Sequence, residues 1–191
     1  LVLGFNTLQL DGISTLPGGT TAHLLTALVQ SGYLAATPAP VPSAQPTLVA
    51  PTDATQSLER RARSYLHVNC AFCHTIFSSA SLDWTTLATR SLADTGLVGG
   101  LLRSDRGDPA NRALIPGDTL HSEVLQRLSA PFGIRMPPFG TRERDLAGET
   151  LLAQWIASLN APLESTTPSR LANLASRAQL DAANPLIAGF V

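Results

Sequence analysis

Two cysteines and a histidine are the residues in this sequence best suited to chemistry. The run Cys70-Ala71-Phe72-Cys73-His74 separates the two thiols by two residues and places an imidazole directly after them. At the end of a helix, this spacing puts both sulfurs on one side of a single turn. Each sulfur can there form a thioether with one vinyl group of the same porphyrin, and His74 can reach the iron. C-x-x-C-H is the attachment pattern of a c-type haem, so we expect one covalently bound haem c.

Two other chemistries use paired cysteines. A thioredoxin-like dithiol belongs to a βαβ context, whereas Cys70 follows a helical pattern and precedes loops. A structural zinc site takes four Cys or His ligands, and the adjacent Cys73 and His74 are poorly placed to share one ion. The chain has only these two cysteines, so no thiol remains for another scheme. Haem attachment is therefore the favoured interpretation.

A six-coordinate haem iron needs a second axial ligand, and the chain contains one methionine, Met136. It stands in Arg135-Met136-Pro137-Pro138, where two successive prolines exclude a helix or a paired strand. A methionine thioether opposite a histidine raises the reduction potential of a haem. A methionine that only fills a gap in the core would more often lie on a helical stripe than in this loop. We expect His74 and Met136 to be the metal ligands.

The other histidines are rival ligands that would give a bis-histidine site of lower potential; they are His23, His67 and His121. His67 lies about two helical turns before His74. The chain would have to fold back for His67 to reach the opposite haem face, so we expect it to be solvated or to support the site from behind. His121 stands at the predicted start of a helix, where we expect it to be exposed.

Supporting groups follow from the same chemistry. An axial histidine usually donates its second ring N–H to a carbonyl or a carboxylate, and the carbonyl of Pro116 is the candidate acceptor. Buried haem propionates take Arg or Trp donors. The candidate donors are Arg135, Arg103, Arg112 and Trp84.

Helical patterns must position the two halves of this site. The first pattern runs directly into Cys70, and Asp53 and Thr55 are its N-cap candidates. The last covers about residues 145–159, where apolar residues recur as a buried stripe. That stripe consists of Leu152, Trp155, Ile156 and Leu159.

A third helical pattern lies between these two. It opens at Pro116-Gly117-Asp118 and stops at Pro131, and its apolar side consists of Val124, Leu125 and Leu128. Between residues 75 and 113 the sequence is mixed, and we expect loops with one short helix near residues 85–90.

The two ends of the chain carry strand-like segments. Residues 1–10 and 186–191 are apolar enough to pair as strands. An amphipathic helix follows the first segment, with Leu24, Leu25, Leu28 and Val29 as its stripe and with Thr20 or Thr21 as its cap. Five prolines between residues 38 and 51 then predict an extended linker.

Composition excludes several classes of function. All 13 basic residues are Arg and the net charge is -1, so no basic face exists to hold a nucleic-acid backbone. No apolar run approaches the roughly 20 residues that span a bilayer. No paired-carboxylate or nucleophile constellation rises above background. With both axial positions filled, we expect an electron carrier and not an enzyme.

Several segments together resemble one protein family. Residues 61–74 with their C-x-x-C-H, Leu114-Ile115-Pro116-Gly117-Asp118, Arg135-Met136-Pro137-Pro138 and Trp155-Ile156 are similar to the class I cytochrome c domain of large exported bacterial proteins. The resemblance covers about residues 52–160. It implies a mainly α fold whose first and last helices pack together around one covalent haem, with Cys70, Cys73, His74 and Met136 at the matching positions.

The flanks resemble neighbouring secreted domains. We therefore divide the chain into residues 1–51, a cytochrome c domain at 52–160 and an extension at 161–191. The expected function is electron transfer with redox partner proteins in the periplasm or outside the cell, as a relay domain or as a subunit of an extracellular haem assembly. Strand-like ends could join copies into a homo-oligomer or filament. The alternative is a haem-based gas-binding or sensing module in which Met136 detaches.

Overall fold

A computed structural model describes residues 7–35, 47–75, 78, 80–140 and 142–159. The element order is α1 (Thr7–Leu10), β1 (Ile13–Thr15), β2 (Thr21–His23), α2 (Leu24–Gln30), α3 (Leu58–Cys70), a 3-10 turn (Ala93–Thr95), α4 (Glu123–Ser129) and α5 (Leu146–Ser158). Helices dominate the regular structure of this described part, and one antiparallel two-stranded sheet accompanies them.

The first described segment is a small hairpin between two short helices. Strands β1 and β2 pair antiparallel, with Ile13 opposite His23 and Thr15 opposite Thr21. The predicted strand over residues 1–10 is wrong for Thr7–Leu10, which is helical; residues 1–6 lie outside the described residues. The predicted cap is also wrong, because Thr21 belongs to β2 and α2 begins only after His23.

Helix α3 confirms the predicted run into Cys70, but its cap is not the predicted one. The N-cap is Ser57, whose hydroxyl accepts a hydrogen bond from the Arg60 N–H at 3.2 Å. The Asp53 carboxylate instead accepts from the backbone N–H and the hydroxyl of Thr55, at 3.1 and 2.6 Å. Because that carboxylate closes a local turn ahead of the helix, it is not the group that caps α3.

Helix α4 begins later than the sequence predicts. Residues 116–121 form turns, since Asp118 Oδ1 accepts from the backbone N–H groups of Leu120 and His121 at 2.9 and 3.0 Å. The helix starts at Glu123 and ends before Pro131, as predicted for its end. The short helix predicted near residues 85–90 is wrong; in this segment the Thr85 N–H donates to the Thr95 carbonyl at 2.8 Å.

Helix α5 follows its prediction closely and packs against both α3 and α4. Asp145 is its N-cap and accepts from the Gly148 N–H at 2.8 Å. The buried stripe holds Leu152, Trp155 and Ile156, each at most 1% exposed. These side chains join one apolar core with residues of α3, α4 and the 92–114 loops.

Some predicted features lie outside this description. Residues 36–46 of the linker, and residues 160–191 with the predicted final strand, are not among the described residues. No helix in the described ranges is long and apolar enough to cross a bilayer.

Candidate functional site

One cavity contains three of the four predicted haem-binding side chains. Cys70, His74 and Met136 all line it, although they come from the end of α3, the turn after it and a distant loop. The cavity measures about 280 Å³, near the lower end of the roughly 300–1,000 Å³ of ligand pockets. Its wall is mostly apolar, and its apolar members include Leu66, Leu102, Ala113, Val124, Leu128 and Leu152.

The C-x-x-C-H turn continues directly from α3. Cys70 is the last residue of that helix, and its carbonyl accepts hydrogen bonds from the N–H groups of Cys73 and His74 at 3.1 and 2.9 Å. Both cysteines are free thiols and are partly buried. Apolar surroundings, and secondarily the neighbouring Cys73, raise the pKa of the Cys70 thiol to about 12. Cys73 is not among the residues that line the cavity.

His74 is held by its ring and by its backbone. Its Nδ1 lies 3.0 Å from the Ser81 hydroxyl, and its ring stacks on Trp84 with centroids 4.6 Å apart and planes 10° from parallel. Burial lowers the pKa of His74 to about 4. The imidazole is therefore neutral at physiological pH, which is the state that binds a metal.

The structure places a hydroxyl, not the predicted carbonyl, next to Nδ1 of His74. Ser81, not Pro116, lies at hydrogen-bond distance from Nδ1. Pro116 does not line the cavity. Its neighbour Gly117 donates an N–H to the Ile156 carbonyl of α5 at 2.9 Å, so this turn is fastened to the helix.

The Met136 loop is fixed to α4 through its backbone. The Met136 N–H donates to the Arg127 carbonyl at 3.0 Å, and Arg127 Nη1 donates to the Ile134 carbonyl at 3.2 Å. The residue is 38% exposed while it also lines the cavity. Since two backbone-directed bonds surround it, the loop presents the thioether from a defined position.

Arg135 is bonded to the backbone beside the loop that carries Met136. Its side chain is buried, and its Nε donates to the Ala130 carbonyl at 2.7 Å. Arg135 is not among the residues that line the cavity. Its Nε therefore helps to close the loop that carries Met136, and the propionate role of Arg135 stays a prediction.

The other predicted propionate donors differ among themselves. Arg103 lines the cavity. Trp84 also lines it, but its indole N–H donates to the Leu101 carbonyl at 2.8 Å. Arg112 lies outside the lining and donates to the carbonyls of Pro109 and Asn111. Of these three candidates, only Arg103 combines a place in the wall with a guanidinium.

Sequence reasoning missed four polar residues in the wall, which are Glu123, Arg127, Thr86 and Ser104. Glu123 is 4% exposed and is bonded to Arg127 Nε at 3.0 Å and to Arg106 Nη1 at 3.4 Å. The i,i+4 spacing of Glu123 and Arg127 on α4 was the available signal. The third residue, Thr86, has a buried hydroxyl with no hydrogen-bond partner within the described residues. Nothing in the sequence marks it.

None of the other three histidines lines the cavity. His67 is 5% exposed and accepts from the Ala88 N–H at 3.1 Å, so the solvated alternative is wrong and support of the site from behind stays a prediction. His121 is partly buried, with Nδ1 2.6 Å from Asp118 and Nε2 3.7 Å from Asp108. His23 pairs with Asp11 at 3.0 Å in the first segment.

The donor set and the wall fit a haem. One neutral imidazole, one thioether and a cysteine thiol line the same apolar cavity, and one buried hydroxyl in its wall has no protein partner among the described residues. Across those residues there is no group of three or more His, Cys, Asp or Glu side chains arranged to hold a metal ion. No family model, curated protein or solved structure matches this chain.

Proposed function

We propose that this protein transfers single electrons through one c-type haem, with Cys70 and Cys73 as thioether attachments and with His74 and Met136 as axial ligands. The observation that carries the proposal is that Cys70, His74 and Met136 line one apolar cavity. His74 and Met136 lie far apart in the sequence, so their place in one cavity depends on the tertiary fold.

The haem, when bound, supplies one reversible electron at its iron. The residues of the chain supply the rest. The C-x-x-C-H turn would fix the cofactor to the end of α3, and the neutral imidazole of His74 and the thioether of Met136 would bind its iron. The apolar wall would limit the water around the haem, which favours the less charged reduced state and raises the potential.

The wider proposal is a class I cytochrome c domain over residues 52–160. It is supported by the packing of α3 against α5, the helices nearest the two ends of that range. We propose that it acts outside the cytoplasm, where c-type attachment is usual in such exported proteins, either as a relay domain or as a subunit of a haem assembly. Redox partner proteins follow from this function.

A haem-based gas-binding module is the second candidate. The observation that favours it is the 38% exposure of Met136, because a partly solvated ligand detaches at a lower cost than a buried one. In that case the reduced protein would bind carbon monoxide rapidly, whereas a firmly bound Met136 would prevent it.

The proposal is tested by the absorption spectrum of the purified oxidised and reduced protein, extended to the near-infrared band of methionine sulfur bound to ferric haem. We expect c-type bands and the methionine band. Met136→Ala should remove the near-infrared band and admit carbon monoxide while the haem stays attached. His121→Ala is the matched control, since His121 lies outside the cavity lining, and it should change neither. Absence of covalent haem would overturn the proposal.

A further inference from the structure

Among the described residues, one short loop supplies hydrogen bonds to both the ring and the backbone of His74 and a ring that stacks on its imidazole. Residues 81–86 place the Ser81 hydroxyl 3.0 Å from Nδ1 and stack Trp84 on the ring. The hydroxyl of Thr85 and the N–H of Thr86 both donate to the His74 carbonyl, at 2.9 and 3.1 Å. This segment therefore holds both the ring and the backbone carbonyl of His74.

This loop is itself firmly held. The Trp84 indole N–H donates to the Leu101 carbonyl at 2.8 Å, and the Thr85 N–H donates to the Thr95 carbonyl at 2.8 Å. A Cβ at Gly100 would lie 2.7 Å from the Trp84 ring, and one at Gly96 would lie 2.6 Å from the Asp83 carbonyl. Ser81 is only 1% exposed. Because the loop has little room to move, it holds the imidazole in one orientation.

We propose that Ser81 is the positioning residue of the axial histidine and that its hydroxyl, not a backbone carbonyl, tunes the haem potential. This inference rests on the proposed function. An imidazole that binds iron through Nε2 carries its remaining proton on Nδ1, and Nδ1 must then donate. The Ser81 oxygen is the acceptor at that distance.

The acceptor type has a chemical consequence. A hydrogen bond from Nδ1–H makes the imidazole more basic and stabilises ferric iron. A hydroxyl oxygen is a weaker acceptor than a peptide carbonyl, so Ser81 lowers the potential less than a carbonyl would. Removing the hydroxyl removes the remaining effect, and the potential should rise.

The test compares holoprotein variants by reduction potential and by the NMR signal of the His74 Nδ1–H in the reduced state. Ser81→Ala should keep the covalent haem, raise the reduced-to-oxidised ratio at a fixed potential roughly fivefold, the scale of one neutral hydrogen bond, and accelerate exchange of the Nδ1 proton. Ser81→Thr, which keeps a hydroxyl, should restore both readouts.

Ser129→Ala is the matched control. The Ser129 hydroxyl donates to the Leu125 carbonyl of α4 at 3.0 Å, and Ser129 is not among the residues that line the cavity. Its loss should leave the potential and the exchange rate unchanged. If Ser81→Ala gives the same values as Ser129→Ala, the inference is overturned while the proposed function stands.

A measurement on the unmodified holoprotein covers the case in which Ser81→Ala does not fold. The Nδ1 proton of His74 should show nuclear Overhauser contacts to the Cβ protons of Ser81. Contacts to protons of Pro116 instead would overturn the inference. A protein that carries no covalent haem by its absorption spectrum would overturn the proposed function, and this inference with it.

Discussion

The Tyr65 hydroxyl on α3 donates a hydrogen bond of 2.9 Å to Oδ2 of Asp145, whose Oδ1 caps α5. One carboxylate thus joins the two helices at their crossing. Burial, together with the Asp145 carboxylate, holds the pKa of Tyr65 well above its ordinary value of 10.0. The phenol therefore remains a proton donor throughout the accessible pH range.

Removal of either partner should weaken this junction by different amounts. Tyr65→Phe deletes one hydrogen bond and should lower the free energy of unfolding by about 1 kcal/mol. Asp145→Ala also deletes the cap and should cost about 2 kcal/mol. Urea denaturation of the holoprotein measures both. Tyr33→Phe, at an exposed tyrosine, should change the midpoint little, and equal losses for Tyr33→Phe and Tyr65→Phe would contradict the assignment.

The same crossing has no room for a larger residue at Gly148. A Cβ there would lie 2.3 Å from the Tyr65 hydroxyl oxygen and 2.7 Å from Asp145 Oδ2. Overpacking costs about 1–3 kcal/mol, which offsets or exceeds the gain of about 1 kcal/mol from replacing a helical glycine by alanine. Gly148→Ala should therefore not stabilise the protein. Gly12→Ala is the control, because a Cβ added there would meet nothing within 4 Å. If Gly148→Ala raised the melting temperature, the close packing of α3 and α5 at Gly148 would be contradicted.

The cap of α3 separates two residues that look equivalent in the sequence. Ser57 accepts from the Arg60 N–H, while Asp53 bonds to Thr55. Ser57→Ala should cost about 1 kcal/mol of unfolding free energy. Asp53→Ala should cost less, because its turn lies outside the helix. Thermal unfolding of the two variants measures both losses of stability. A larger loss for Asp53→Ala than for Ser57→Ala would mean that Asp53 caps the helix.

Local sequence patterns predicted the helix boundaries correctly where a motif, a proline or the periodicity of apolar residues determines them. The end of α3 at Cys70, the stop before Pro131 and the span of α5 follow from such signals. The cap of α3 was mispredicted because several hydrogen-bond acceptors lie within a few residues of its start. Which of them caps the helix depends on the backbone N–H that each side chain can reach.

The surroundings of His74 could not be predicted in the same way. Ser81 and Thr86 lie in a loop without periodicity, and the Thr85 N–H of that loop bonds to the Thr95 carbonyl ten residues further on. The position of Pro116 likewise depends on the tertiary fold. Its turn is bonded to α5 through Gly117 and Ile156, and no short-range pattern in the sequence records that contact.

His121 and Asp118 predict a pH dependence. The Asp118 carboxylate, 2.6 Å from Nδ1, raises the pKa of His121 above 6.5, with a smaller contribution from Asp108. The imidazolium is therefore favoured by folding. Its contribution to stability is complete below pH 6.5 and is lost as the pH rises through the raised folded-state value. NMR titration of His121 should show the raised pKa.

Two variants test the source of that shift. Asp118→Asn keeps an acceptor for the N–H groups of Leu120 and His121 but removes the charge, so the pKa of His121 should fall towards its ordinary value. Asp108→Asn should lower it less, because Nε2 is 3.7 Å from Asp108. If the two substitutions lowered the pKa of His121 equally, the combined charge of the two carboxylates, and not the short contact to Asp118, would determine that pKa.

Glu123 links the cavity wall to the Met136 loop. Its carboxylate bonds to Arg127, and Arg127 bonds to the Ile134 carbonyl and accepts the Met136 N–H. Glu123→Gln should lower the unfolding free energy by about 1–2 kcal/mol, less than a fully buried pair would lose, because both arginines are partly exposed and water takes up part of their charge. It should also weaken the methionine band in the near-infrared, since the loop loses its anchor.

Glu59→Gln is the matched control. Glu59 forms the same i,i+4 ion pair with Arg63 at an exposed position of α3, where such a pair contributes about 0.3–0.5 kcal/mol. If both substitutions lowered stability alike and left the band intact, Glu123 would be an ordinary surface partner and the Met136 loop would be held by its backbone alone.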